Sequence, residues 1–216
     1  MEKVAIVGAT GRIGSRILME LIERNHVITA ISRNAFDLPG STLIIACEGD
    51  VMDEKVLSGH VVALENEILI SAIAPDPNNL ESFLVATENL IKTAEKAAVK
   101  KLITVGGAGS LLLPDGRKLM DQEDFPEEWK DVARIHERAL DLYKQLENKK
   151  FNWIHVSPSA FIEADEKIGQ YRVGTDERLI MDENGVSRIS MEDFASFVAD
   201  LIEEDTYKNQ RVTIGY

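Results

Sequence analysis

A chain of 216 residues is one domain's worth of polypeptide, long enough to bury roughly 70% of its unfolded surface without a metal or disulfide staple. With 44% apolar and 28% charged residues it is neither wholly disordered nor of low complexity. A net charge of −13 argues against nucleic-acid binding, which needs a basic face, and against docking on anionic lipid.

Residues 3–7, Lys-Val-Ala-Ile-Val, are too few for a helix and stop at Gly8, which predicts a buried parallel strand. From Gly14 the pattern changes. Ile17, Leu18, Leu21 and Ile22 recur at helical spacing, predicting an amphipathic helix to about Asn25. Further strands are predicted at 26–31, 43–46, 67–71, 101–105 and 151–156. Long helices are predicted at 80–100 and 127–147, the second with Pro126 in the first turn, where a missing N–H is harmless. In the tail, 171–173 and 179–181 read as short strands, and Asn184-Gly185 as a hairpin signal. Ser190-Met-Glu-Asp193 resembles a capping box for a helix through Ile202, and 211–214 forms a last strand. Strands alternating with helices predict an α/β fold: a doubly wound, mostly parallel sheet with helices on both faces. Residues 1–216 read as one domain, with 157–190 as a small C-terminal lobe.

Cys47 stands alone, so no internal disulfide forms and no metal site is expected. No basic, apolar and small-residue leader opens the chain, and no apolar run nears the roughly 20 residues of a membrane span. A cytoplasmic protein is expected, with no nucleic-acid or membrane partner.

The strongest chemical signal is Gly8-Ala-Thr10-Gly11-Arg12-Ile13-Gly14, between the first strand and the first helix. Gly8 permits a sharp turn out of the strand. Gly11 admits a pyrophosphate close to the backbone, and Gly14 lets the helix pack against the strand. The helix N-terminus adds free N–H groups and a partial positive charge. No Gly-Lys-Ser/Thr follows, so this is not an ATP-hydrolysing loop. The pattern is that of a dinucleotide-binding turn.

The G-x-x-G-x-x-G spacing resembles the extended and atypical branches of the short-chain dehydrogenase/reductase superfamily, which implies a Rossmann sheet. Ser32-Arg33 closes the second strand, where many NAD enzymes place an acid for the ribose 2′-hydroxyl. A guanidinium there pairs instead with a 2′-phosphate, and Arg12 supplies a second positive contact; NADP is expected, with NAD as the alternative. The resemblance implies that Asp50 and Val51 hold the adenine. It also implies that Ser71-Ala72-Ile73 lies along the ribose and pyrophosphate, and that Pro158-Ser159 passes over the nicotinamide.

Short-chain dehydrogenases use a Tyr-x-x-x-Lys pair on the helix after the fifth strand, but here Tyr143, Tyr171 and Tyr207 are followed at that spacing by Glu147, Thr175 and Arg211. Alcohol oxidation and sugar epimerisation rely on that proton transfer. The departure resembles the small reductases grouped as NAD(P)H-binding proteins or NADH-flavin reductases. The segments that carry it are residues 106–110, 120–126, 153–160 and 187–193. Such a family member would pass hydride to a planar conjugated small-molecule acceptor, flavin- or quinone-like. Ser110 and His136 are the candidate catalytic groups, and Phe161 and Trp129 candidate walls for the acceptor. The alternatives are a non-catalytic NADP(H) sensor and a nucleotide-sugar epimerase or dehydratase; a monomer or a homodimer is compatible with all three.

Overall fold

The computed structural model describes residues 1–147 and 149–216. The chain runs β1 (Lys3–Val7), α1 (Gly14–Glu23), β2 (Val27–Ser32), β3 (Ile44–Glu48), α2 (Glu54–Ala63), β4 (Ile68–Ser71), α3 (Ser82–Lys96) and β5 (Lys101–Val105). It continues through α4 (Glu127–Lys144), β6 (Asn152–Ser157), β7 (Phe161–Glu163), β8 (Arg172–Gly174), β9 (Arg188–Ser190), α5 (Met191–Glu203) and β10 (Gln210–Gly215).

Eight strands form one sheet in the order β3-β2-β1-β4-β5-β6-β10-β8. All neighbours are parallel except β8, which runs antiparallel along the edge of β10. The order reverses between β1 and β4, leaving a crevice at the carboxyl ends of these two strands, the usual ligand site of an open α/β sheet. This is the doubly wound Rossmann sheet that the alternation of elements predicts.

Two apolar layers hold it together. On one face Ile17, Leu18 and Leu21 of α1 pack with Phe194, Val198 and Leu201 of α5. On the other, Leu57 and Val61 of α2, Leu90 and Ile91 of α3, and Leu140 and Tyr143 of α4 cover β1, β4 and β5. Central strands buried on both faces explain the continuous apolar runs. Among the described residues no helix is long and apolar enough to cross a membrane.

Three local features depart from the sequence reading. Helix α2 was not legible, because its apolar residues do not form one clean stripe. Asp53 starts it by accepting from the Lys55 and Val56 N–H groups. Residues 179–181 are not a strand. Asn184-Gly185 makes a tight turn, closed by Asp182 N–H to the Val186 carbonyl at 2.9 Å, but it joins no antiparallel pair. Instead β9 pairs in parallel with β7 as a separate two-stranded sheet. Ser190 does cap α5, its Oγ accepting from Asp193 N–H at 3.0 Å. The Asp193 carboxylate turns away to accept from the Ile168 and Gly169 N–H groups, so only half of the box forms.

Candidate active site

The glycine turn is built by backbone contact. Gly8 adopts φ +84°, and a Cβ there would lie 2.8 Å from the Ala72 carbonyl oxygen. A Cβ on Gly14 would lie 2.0 Å from the Gly8 carbonyl oxygen, so α1 starts against the turn only because neither residue has a side chain. Among the described residues no side chain caps α1; the Ser15 N–H bonds to the Gly11 carbonyl and the Arg16 and Ile17 N–H groups to the Ile13 carbonyl, which leaves the N–H groups of Arg12 and Ile13 in the turn without a partner.

These groups border a cavity of about 1000 Å³ at the carboxyl edge of the sheet. Cofactor sites commonly enclose roughly 300–1,000 Å³. Its lining unites Gly8, Thr10, Gly11, Arg12 and Ile13 with Ser32 and Arg33 after β2, and with Asp50 and Val51 after β3. Ala72 and Ile73 follow from β4, and His136 from α4. The Ser32 hydroxyl donates to the Asn34 carbonyl at 2.7 Å and thereby shapes the turn that presents Arg33. Asp50 Oδ1 accepts from Met52 N–H at 2.9 Å. From behind, the Asn89 amide of α3 donates to the Val51 and Met52 carbonyls at 3.0 and 3.2 Å, fixing that loop.

Arg12 and Arg33 are the cations of the lining, and among the described residues neither guanidinium has an ion-pair or hydrogen-bond partner. In a chain with 37 acidic residues, two exposed arginines left without a carboxylate suit an anionic ligand. The glycine cradle, the open N–H groups of its turn and these arginines fit the phosphates of a nicotinamide dinucleotide.

Gly14, Ser71, Ser110, Pro158 and Ser159 do not reach the cavity lining. Gly14 acts through packing, and Ser71 is buried inside β4. Ser159 is buried, its Oγ donating to the Ile214 carbonyl at 2.8 Å, which ties the chain after β6 to β10. Ser110 is carried away because a turn, Leu111 N–H to the Ala108 carbonyl at 2.9 Å, sends Leu111 into an apolar cluster with Leu113 and Leu179. Phe161 and Trp129 are exposed and stand outside the cavity. The apolar walls are instead Phe83, Ile162 and Met191, with Pro75 and Pro77 on the loop after β4. Ile162 and Met191 arrive from the two-stranded sheet and the start of α5, which no local pattern predicts.

His136 is half-buried, with its ring edge-on to Phe83 at 4.8 Å between centroids. Its Nδ1 is buried without a hydrogen-bond partner among the described residues. Burial pushes its pKa down to about 4, so the ring is neutral at pH 7. An unperturbed imidazole titrates near physiological pH, so burial moves this ring out of the range of a proton donor. Tyr143, on the same helix, is stacked on Trp153 and sealed in the core, which pushes its phenol pKa upward.

The chain matches the NAD(P)H-binding family over residues 8–205. A Burkholderia pseudomallei protein provisionally named as exported is 36% identical, with a TM-score of 0.88 and all of both chains covered. A Bacteroides thetaiotaomicron protein provisionally named an epimerase is 28% identical, with a TM-score of 0.91, covering 100% of this chain and 97% of its own. A Streptococcus pneumoniae TIGR4 protein provisionally named an NADH-flavin reductase is 30% identical, with a TM-score of 0.83, covering 100% and 99%. Two of these names give different activities and the third gives none, while the fold and the extent of the match agree, and on that extent the chain belongs to the NAD(P)H-binding family.

Proposed function

We propose that the protein is a cytoplasmic NADPH-dependent reductase of a planar, conjugated and uncharged small molecule, such as a flavin ring or a quinone. The observation that carries this reading is the mixed lining of one cavity, which holds two arginines without partners, Arg12 and Arg33, together with the apolar Phe83, Ile162 and Met191.

In this reading Arg33 pairs with the 2′-phosphate, where an acid would repel it. The open N–H groups of Arg12 and Ile13, in the turn before α1, receive the pyrophosphate. Asp50 and Val51 border the adenine, and Ala72 and Ile73 leave room for the nucleotide against the sheet. The bound cofactor supplies the hydride. The chain contributes placement of the two rings against each other along its apolar walls. His136, neutral at pH 7, offers a hydrogen-bonding edge rather than a proton, which arrives from solvent. Epimerase chemistry is disfavoured because no Tyr-x-x-x-Lys pair occurs in the sequence.

Anaerobic mixing of the purified protein with NADPH and a panel of flavins and quinones tests the reading, followed by loss of reduced nicotinamide absorbance. Turnover is expected with riboflavin or a neutral quinone, and less with phosphorylated or sulfonated analogues. Tight NADPH binding with no turnover on any acceptor would overturn the enzyme and favour a sensor.

A further inference from the structure

Arg211 of β10 is only 4% exposed, yet among the described residues it meets no carboxylate. Its Nε donates to Ser157 Oγ at 2.8 Å, its Nη1 to the Ser110 carbonyl at 3.3 Å and its Nη2 to the Gly107 carbonyl at 3.2 Å. All three acceptors are neutral. The acids that act on it through space, Glu137 and Glu177, are each held by a lysine: Glu137 by Lys118 at 2.9 Å and Glu177 by Lys144. Burial lowers the pKa of Arg211 to about 10, so it stays charged at neutral pH. A buried ion without a counterion costs several kcal/mol, and an apolar side chain of similar volume usually fills such a place at no loss of stability. Packing therefore does not account for this charge.

Its position does. Gly107 follows Gly106, which lines the cavity, and a Cβ on Gly107 would touch the His136 ring at 3.1 Å. Arg33 leaves the sheet at β2, and β1 and β4 lie between β2 and β5. The β5 end is thus three strand spacings from Arg33, about 14 Å. With the phosphates and adenine on the β2–β3 side, the nicotinamide would fall towards β5, and Arg211 holds the carbonyl of Gly107 just after that strand.

We propose that Arg211 sets the redox preference of the site: its buried charge disfavours the cationic nicotinamide of oxidised cofactor and leaves the neutral reduced ring undisturbed. The inference rests on nicotinamide binding in this cavity. Hydride transfer moves a proton and two electrons from the ring to the acceptor, which then takes a proton from water, so the ring alone retains a positive charge. During transfer the charges developing on ring and acceptor are opposite and adjacent. A single fixed charge acts on that pair weakly and on the isolated cation strongly. Arg211 thus loads the reduced cofactor and speeds departure of the spent one.

The test is calorimetric titration of NADPH and NADP⁺ into the wild type, Arg211→Lys, Arg211→Gln and Arg211→Met, each checked for folding by thermal unfolding. The wild type is expected to prefer NADPH by about tenfold, the size of two unit charges about 12 Å apart at an effective dielectric near 20. Lysine should keep most of that preference. Glutamine and methionine should abolish it, chiefly by tightening NADP⁺. Methionine keeps the test open if glutamine fails to fold. A wild-type preference below about threefold overturns the proposal, as does an unchanged preference in both neutral variants. Equal weakening of both cofactors in all three variants also overturns it, since a mere structural staple would act that way. No binding of either cofactor by the wild type overturns the reductase reading itself, whereas binding without redox preference overturns this inference alone.

Discussion

The end of β5 rests directly on the imidazole of His155: a Cβ on Gly106 would fall 2.1 Å from His155 Nε2. The other ring nitrogen, Nδ1, is 2.9 Å from Thr104 Oγ1, so the ring has no room to swing aside. Gly106 borders the cavity, and His155 is the buried support beneath it.

Gly106→Ala should therefore destabilise the protein by about 3 kcal/mol, the upper end of overpacking costs. Adding His155→Ala should recover part of that loss, because the clash disappears while a cavity opens. Denaturant unfolding of both single variants and the double variant measures the coupling, and additive losses would show that the two positions do not collide.

Gly11 faces the Gly8 carbonyl oxygen, with 3.3 Å available to a Cβ. Gly11→Val forces a branched side chain into the turn, and NADPH affinity should fall at least about tenfold in a folded protein, a loss of about 1.4 kcal/mol. Equal affinity by calorimetry would remove the turn from the phosphate site.

Arg33→Asp should separate the two cofactors. It removes the pairing with a 2′-phosphate and adds a like charge, so NADPH affinity should drop roughly a hundredfold while NADH affinity changes a few-fold. Parallel losses would mean that Arg33 does not read that phosphate.

His136→Gln should slow single-turnover oxidation of bound NADPH less than about tenfold, since a ring already neutral at pH 7 has no proton to lose. A loss of 10²–10⁴-fold, partly restored by buffer acids, is the general-acid signature and would contradict this assignment.

Stability should fall on acidification between about pH 6.5 and 4. Burial pushes His136 to about 4, and burial together with the Arg211 charge holds His155 well below its ordinary value. An unfolded imidazole titrates near 6.5, so the unfolded state binds more protons in this window, and the stabilisation present above it is lost as the pH falls. Unfolding at pH 5.5 should take up nearly two protons from these rings, about one in His155→Asn; denaturation curves from pH 5 to 7 measure that slope.

The glycine turn and the sheet were legible because their signals are local. A short apolar run, a Gly8 that must turn and a Gly14 that must let α1 approach are properties of neighbouring residues, and so is an Arg33 placed after β2. Asp50, Val51, Ala72 and Ile73 came instead from the resemblance to the short-chain dehydrogenase/reductase superfamily, and they share the cavity because strand ends in a parallel sheet converge on one edge. Distance in sequence hid the rest. Ile162 and Met191 reach the cavity only once β7 pairs with β9, a contact across 27 residues in the register of Phe161 with Arg188. Ser110 and Ser159 looked like site residues by position, but a turn and a hydrogen bond to β10 direct them elsewhere. Burial is likewise a property of the folded chain: it makes His136 a neutral ring and leaves Arg211, unremarkable in the sequence, as a buried charge bonded to the Gly107 and Ser110 carbonyls.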